Sequence, residues 1–73
     1  MKKVVLYTLP KCPHCEIAKA YLDKQGIAYR LCNVQTPSGR KEFSRLGLRG
    51  VPVLKIGDQI LKGFSVKGFK QLY

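Results

Sequence analysis

The stretch Thr8-Leu9-Pro10-Lys11-Cys12-Pro13-His14-Cys15 most narrows what this chain can fold into, because the hydrophobic pattern changes character across it. Before it, Val4-Val5-Leu6-Tyr7-Thr8 is a β-branched and aromatic run that reads as a strand. After it, Ile17, Ala18, Tyr21 and Leu22 recur at the spacing of one helix face. Two cysteines three residues apart therefore stand where a strand hands over to a helix, at the N-terminus of that helix.

The chemistry follows from the position. A thiol at the first helical turn faces unpaired backbone N–H groups and the positive end of the helix dipole, and both favour thiolate over thiol. Cys12 is the expected nucleophile. Residues three apart on a helix share a face, which puts Cys15 one turn below Cys12, within disulfide reach and more covered by protein. Cys15 is the expected resolving thiol. Pro13 suits the first helical position, since it fixes φ and has no N–H to leave unpaired.

Further along, Gly26 is a natural stop for a helix from Pro13 to about Gln25, with Lys24 in its last turn. Ile27 to Val34 reads as a second strand, and a strand–helix–strand order favours a parallel pair with a right-handed crossover. Thr36-Pro37 supplies a cap and a first-turn proline for a short helix through Leu46, closed by Gly47. Val53–Ile56 and Gln59–Lys62 flank the two-residue turn Gly57-Asp58 and must be antiparallel. Ser65 caps a last helix in which Val66, Phe69, Leu72 and Tyr73 face the sheet, with Gly68 weakening it by roughly 1 kcal/mol relative to alanine. The sum is β-α-β-α-β-β-α, which implies an α/β fold with a four-stranded mixed sheet and helices on both faces.

A chain of 73 residues is expected to form one domain over residues 1–73. Such a domain buries roughly 60% of its unfolded surface, so modest stability is expected. With 45% apolar residues it is a globule and not a disordered tail. Three cysteines cannot all pair within the chain, so a disulfide scaffold is a poor fit and a cytoplasmic redox motif a better one. Met1-Lys2-Lys3 looks like the start of a signal peptide, but the apolar run after it stops at Pro10-Lys11 with no cleavage site, so secretion is not expected. No apolar stretch reaches the roughly 20 residues of a membrane-spanning helix, and no membrane partner is expected.

Fourteen Lys and Arg against four Asp and Glu give a formal charge of +10, a positive field to which nucleic acid, anionic lipid or an acidic protein can respond. The basic residues are scattered. Lys41, Arg45 and Arg49 come nearest to a stripe, four apart on or just past one helix, and a solvated helix face is the plainer reading of them.

Cys12-Pro13-His14-Cys15 after a first strand, Val51-Pro52 before a hairpin, and Gly63-Phe64 leading into a final helix together resemble the glutaredoxin branch of the thioredoxin superfamily. The similarity runs over essentially the whole chain. It implies a thioredoxin-like fold in which Pro52 is cis and lies against the dithiol, while the backbone of Val51 pairs with an extended, cysteine-containing substrate. From the residues alone Pro52 would be an ordinary edge-strand proline. The resemblance extends the expected substrate contacts to Lys11, Pro13, His14, Arg49, Val51, Pro52, Phe64 and Ser65. Two departures stand out. Leu9 occupies a place where glutaredoxins often have a lysine that meets a glutathione carboxylate, although Lys11 is close by and Arg49 matches a basic position. Ser65-Val66 replaces paired aspartates that often receive the glutathione amino group. The redoxins that serve ribonucleotide reductase also have Gly-Phe before the last helix and lack those aspartates, but their later helix motif is not matched by Ser65-Val66-Lys67-Gly68.

The resemblance implies a thiol–disulfide oxidoreductase acting on protein or glutathione mixed disulfides, in which Cys12 attacks and Cys15 resolves. The expected partners are disulfide-containing proteins, with glutathione as a possible co-substrate or a flavin-dependent disulfide reductase as electron donor. A monomer is expected, and no metal or organic cofactor is required. Zinc needs four ligands, and His14 and Cys32 are poorly spaced to complete a set. His14 has two readings, a cation that stabilises the Cys12 thiolate or a solvated imidazole. Lys19 either adds positive potential near Cys15 or is a solvated side chain, and Cys32 reads as a small apolar residue before a regulatory thiol. A second hypothesis is a basic module that binds nucleic acid or an acidic protein, its dithiol serving as a redox switch; the aromatic-interleaved basic strand face that nucleic-acid binding would favour is not found in the sequence.

Overall fold

The computed structural model describes residues 3–47 and 50–73. Its elements are β1 (Val4–Thr8), α1 (Pro13–Lys24), β2 (Arg30–Asn33), α2 (Pro37–Arg45), β3 (Val53–Ile56), β4 (Gln59–Lys62) and α3 (Val66–Leu72). The sheet order is β2-β1-β3-β4. β1 and β2 run parallel, and β3 is antiparallel to both β1 and β4. This is the expected β-α-β-α-β-β-α order and the expected mixed sheet.

The pleat sorts the side chains to two faces. Val4 and Leu6 point the same way as Leu54 and Ile56 and bury against Ala18 and Leu22 of α1 and Phe69 of α3. Tyr7 and Val53 point the other way, with Cys32, and are covered by Phe43 of α2 and by Leu46. Helices α1 and α3 thus cover one face and α2 the other.

The second strand is shorter than the pattern from Ile27 to Val34 suggests. The end of α1 explains why: Gly26 takes φ +67°, the Ile27 N–H donates to the Leu22 carbonyl at 2.9 Å, and the Gly26 N–H donates to the Asp23 carbonyl at 3.1 Å. This double closure turns the chain back under the helix. Ile27 and Tyr29 then pack against the α1-side core before pairing begins at Val5 and Arg30.

Helix α2 depends on a contact that spacing does not reveal. The Thr36 hydroxyl accepts the Gly39 N–H at 3.0 Å and donates to the Asn33 carbonyl at 2.8 Å, which ties the helix start to the end of β2. A methyl group at Gly39 would overlap that same Asn33 carbonyl, so glycine is required by close approach. Gly68 has a related role. A side chain there would press on the Ser65 hydroxyl at 2.8 Å and the Leu61 Cδ1 at 3.0 Å, so its absence lets α3 lie close to β4.

Candidate active site

Four elements end or begin at one end of the sheet. β1 finishes at Thr8, a short loop leads to α1, β3 starts just after Pro52, and β4 finishes at Lys62. Within the loop Lys11 takes φ +60°, an uncommon left-handed conformation for a side-chain-bearing residue, and it sets the entry of the chain into α1.

Cys12 is the N-cap of α1 and Pro13 occupies the first turn. The Cys15 backbone N–H donates to the Cys12 sulfur at 3.3 Å. The helix therefore presents to this sulfur the unpaired donor that a thiolate needs. Cys12 is half-buried, and Cys15, one turn on, is only 2% exposed. Burial pushes the Cys15 thiol up, and its contact with the Cys12 sulfur adds to the rise; the Thr8 hydroxyl and the Leu9 backbone pull it part of the way back. The first sulfur is reachable and the second is a protonated reserve behind it.

The Val51–Pro52 peptide bond is cis. The β1–β3 register pairs Tyr7 with Val53, so the next step places Pro52 across from Thr8, beside the loop that carries Cys12. Pro52 is buried and its carbonyl accepts the Gly63 N–H at 2.9 Å. Gly50, Val51, Pro52, Lys62 and Gly63 line a groove of about 320 Å³ at this end. A second hollow, about 150 Å³, opens toward the β2 edge between Thr8, Cys15, Lys19, Leu31 and Asn33.

The remaining expected site residues fall as follows. Lys11, Pro13 and His14 are exposed around Cys12. Phe64 is half-buried with its ring 5.6 Å from Tyr21 and 6.5 Å from Phe69, so it buttresses α1 next to the groove. The Ser65 hydroxyl accepts the Gly68 N–H at 3.0 Å and is committed to capping α3. Arg49 lies outside the described residues. Cys32 is 5% exposed in the core on the α2 side, so the sheet separates it from the dithiol. Among the described residues no group of three or more His, Cys, Asp or Glu side chains is placed to hold a metal ion. No described helix is long and apolar enough to cross a membrane.

One feature of the α2 face was not visible in the sequence. The Tyr7 hydroxyl donates to Glu42 Oε2 at 2.7 Å, and Arg30 Nη2 reaches the same oxygen at 2.6 Å. Burial and this carboxylate push the Tyr7 phenol far above its usual range, while Tyr7 and Arg30 hold the Glu42 carboxyl below its own. In the sequence Tyr7 is only one residue of the first strand run, and its partner 35 positions away carries no local signal.

The glutaredoxin family pattern matches residues 4–61 of this chain. A probable thioredoxin of Archaeoglobus fulgidus is 37% identical over 65 residues, covering 84% of this chain and 71% of that protein. A glutaredoxin of Neisseria meningitidis is 30% identical over 69 residues, covering 89% and 80%. The solved structure of the glutaredoxin-like NrdH-redoxin from Escherichia coli superimposes with a TM-score of 0.82 at 25% identity, covering 97% of this chain and 95% of that one. A dithiol at a helix N-terminus beside a cis-proline, on a sheet of this order, and a family match over most of the chain lead to one conclusion: this chain belongs to the glutaredoxin family of thiol–disulfide oxidoreductases.

Proposed function

We propose that the chain reduces protein disulfides by a dithiol cycle, with Cys12 as nucleophile and Cys15 as resolving thiol. The observation that carries this reading is the Cys12 sulfur capping α1 with the Cys15 N–H against it and the Cys15 thiol buried behind. In the first step the Cys12 thiolate forms a bond to one sulfur of the partner disulfide, and the other partner sulfur leaves as thiolate and takes up a proton. Cys15 then loses its proton and attacks the Cys12 sulfur, which releases the second partner thiol. Two electrons pass to the partner and the Cys12–Cys15 bridge remains.

The environment of Cys15 fits this order. Its contact with the Cys12 sulfur is among the causes that raise it, and that charge vanishes once Cys12 is tied up in the mixed disulfide. The Thr8 hydroxyl and Leu9 backbone remain to favour the Cys15 thiolate, so the reserve thiol becomes more acidic when it is needed.

The extended substrate chain is assigned to Val51 and Pro52 in the groove, with Phe64 beyond Gly63 and the exposed Lys11, Pro13 and His14 on either side of Cys12 as further contacts. Protein disulfides are favoured over glutathione mixed disulfides because the first turn of α3 carries no carboxylate for a glutathione ammonium group and Ser65 is occupied as a cap. A flavin-dependent disulfide reductase then serves as electron donor in a reducing cytoplasm. The likeness to the Escherichia coli redoxin, whose structure was described as the basis of its thioredoxin-like activity profile, supports that choice.

Parallel NADPH-coupled assays test it. The oxidised protein is offered to glutathione with its reductase and to thioredoxin reductase. Consumption of NADPH with thioredoxin reductase, and at least about tenfold less with glutathione, is the expected result. Cys12→Ser abolishes disulfide reduction and Cys15→Ser accumulates a mixed disulfide visible by mass; full activity in Cys12→Ser overturns the assignment.

A further inference from the structure

The charge of this molecule is unevenly placed. Three of its four acids are remote from the dithiol or neutralised. Asp23 lies in the last turn of α1 and accepts the Tyr29 hydroxyl at 3.1 Å, Asp58 sits in the β3–β4 turn at the opposite end of the sheet, and Glu42 is paired with Arg30 on the α2 face. Only Glu16 is near Cys12. Around the same end Lys11 and Lys67 are exposed, on the loop before α1 and in the first turn of α3, while Lys62, the partner of Val53 at the end of β4, points to the α2 face.

An apolar stripe, open at its two ends and half-buried between, lies on the α1 and α3 side, with Glu16 next to Ile17 and Lys67 next to Val66 in the chain. Ile17 is 57% exposed and stands one turn before Tyr21 on α1, the Tyr21 ring lies 5.6 Å from Phe64, and Val66, two residues on and expected from the sequence to face the sheet, is instead 41% exposed. Large aliphatic side chains this open, with exposed charged residues at their edge, at the end of the fold that carries the dithiol, have the layout of a contact patch with an apolar centre and a polar rim.

We propose that this end docks an acidic protein segment whose cystine is flanked by aspartate or glutamate and by one or two large apolar residues. The apolar residues seat on Ile17, Tyr21, Phe64 and Val66, and the carboxylates meet Lys11 and Lys67. The inference rests on the dithiol reading above and adds the chemistry of its substrate. Charge complementarity of this kind acts mainly on encounter, raising association rates by roughly ten- to a thousandfold and fading with salt.

The test uses two disulfide-closed peptides of equal length with the same Leu-Phe pair beside the cystine, one flanked by glutamates and one by lysines. Hydroxyethyl disulfide, small and neutral, is the control substrate. At low ionic strength, kcat/KM for the acidic peptide exceeds that for the basic one by about tenfold or more, and the ratio falls below about twofold in roughly 0.5 M salt, where the Debye length is only a few ångströms. The pair Lys11→Glu and Lys67→Glu removes the preference. The pair Lys24→Glu and Lys70→Glu, with the same change of net charge at the C-terminal ends of α1 and α3, keeps it. Ile17→Ser raises KM for the acidic peptide about threefold or more.

Equal rates on both peptides at low salt overturn the proposal, and so does an equal loss of preference in the two lysine pairs. A single-stranded DNA that blocks both peptides at submicromolar concentration also overturns it and assigns the surface to nucleic acid. If hydroxyethyl disulfide itself is not reduced, the dithiol reading falls and the inference falls with it.

Discussion

Two thiols are buried in this molecule, on opposite faces of one sheet, and their surroundings differ. Cys15 and Cys32 are 2% and 5% exposed, and burial is the main reason that both hold their protons more tightly than a free cysteine. Around Cys15 the Thr8 hydroxyl and the Leu9 backbone favour the anion, and the opposing influence is another sulfur whose charge is consumed in the reaction. Around Cys32 the influence added to burial is the carboxylate of Glu42, a fixed negative charge that no step of the reaction removes, with Arg30 pulling the other way. Burial alone does not make a redox thiol; a helix N-terminus with a second sulfur does.

The sharpest way to break this contrast is to remove each thiol in turn. Cys15→Ser is expected to lower steady-state reduction of a protein disulfide by at least about 100-fold, since release of the mixed disulfide then waits for an outside thiol. Cys32→Ala is expected to change it by less than about twofold, with a stability loss of about 1 kcal/mol from the small cavity. The two are compared under one NADPH-coupled assay, with urea midpoints for the second. A large activity loss in Cys32→Ala would mean that the α2 face takes part in the chemistry.

The next largest effect lies on the α2 side. Gly39→Ala forces a methyl group onto the Asn33 carbonyl, and since backbone cannot yield as a side-chain tip can, the expected loss is about 2–3 kcal/mol. Gly68→Ala meets the Ser65 hydroxyl and the end of the Leu61 side chain, both able to shift, and gains roughly 1 kcal/mol of helix propensity in return. Its midpoint should stay within about 0.5 kcal/mol of the parent. Equal losses would show that the two helices tolerate crowding alike.

These two glycines mark where the sequence stops being readable. Strand and helix order, the paired cysteines and the cap at Thr36 follow from periodicity and local chemistry, because each involves residues within a turn or two of one another. The cis bond before Pro52 was legible only through the resemblance to glutaredoxins. Gly39 against Asn33, Gly68 against Leu61, and Tyr7 with Arg30 on Glu42 are contacts between elements, and nothing in the local pattern of any partner announces them. The overlong second strand has a similar origin. Ile27 and Tyr29 are apolar because they cover the α1-side core on the way to the sheet, and a pattern of burial alone does not tell that from pairing.

A smaller effect separates the faces by pH. The Glu42 carboxyl is held below its ordinary range by Tyr7 and Arg30, so its stabilisation is fully present above about pH 4.3, the value for an unperturbed glutamate, and is lost as pH falls through the lower folded value. Because the Arg30 and Glu42 side chains are 58% and 37% exposed, solvent screens the pair, and Glu42→Gln is expected to cost about 1 kcal/mol at neutral pH. The difference between parent and variant should shrink progressively as pH falls below about 4.3 and through the lower folded value, as read from urea midpoints over a series of acidic pH values. A difference that persists in acid would assign the loss to packing and not to charge.

The finest test concerns the Thr8 hydroxyl, which marks the contrast between the two thiols most directly. Thr8→Val keeps the shape of the residue at the end of β1 but removes a group that lowers the Cys15 thiol, so in the variant that thiol titrates higher. At neutral pH a smaller fraction of Cys15 is then ionised in the mixed disulfide, and its attack on Cys12 should slow about two- to threefold, equivalent to roughly 0.5 kcal/mol. The deficit should close as pH rises toward the Cys15 value, whereas a structural disturbance of the loop would slow the first attack by Cys12 as well, at every pH. Stopped-flow measurement of the two steps over a pH series distinguishes these outcomes. A resolving step with an unshifted pH profile would mean that the helix and the backbone alone set the reactivity of the buried sulfur.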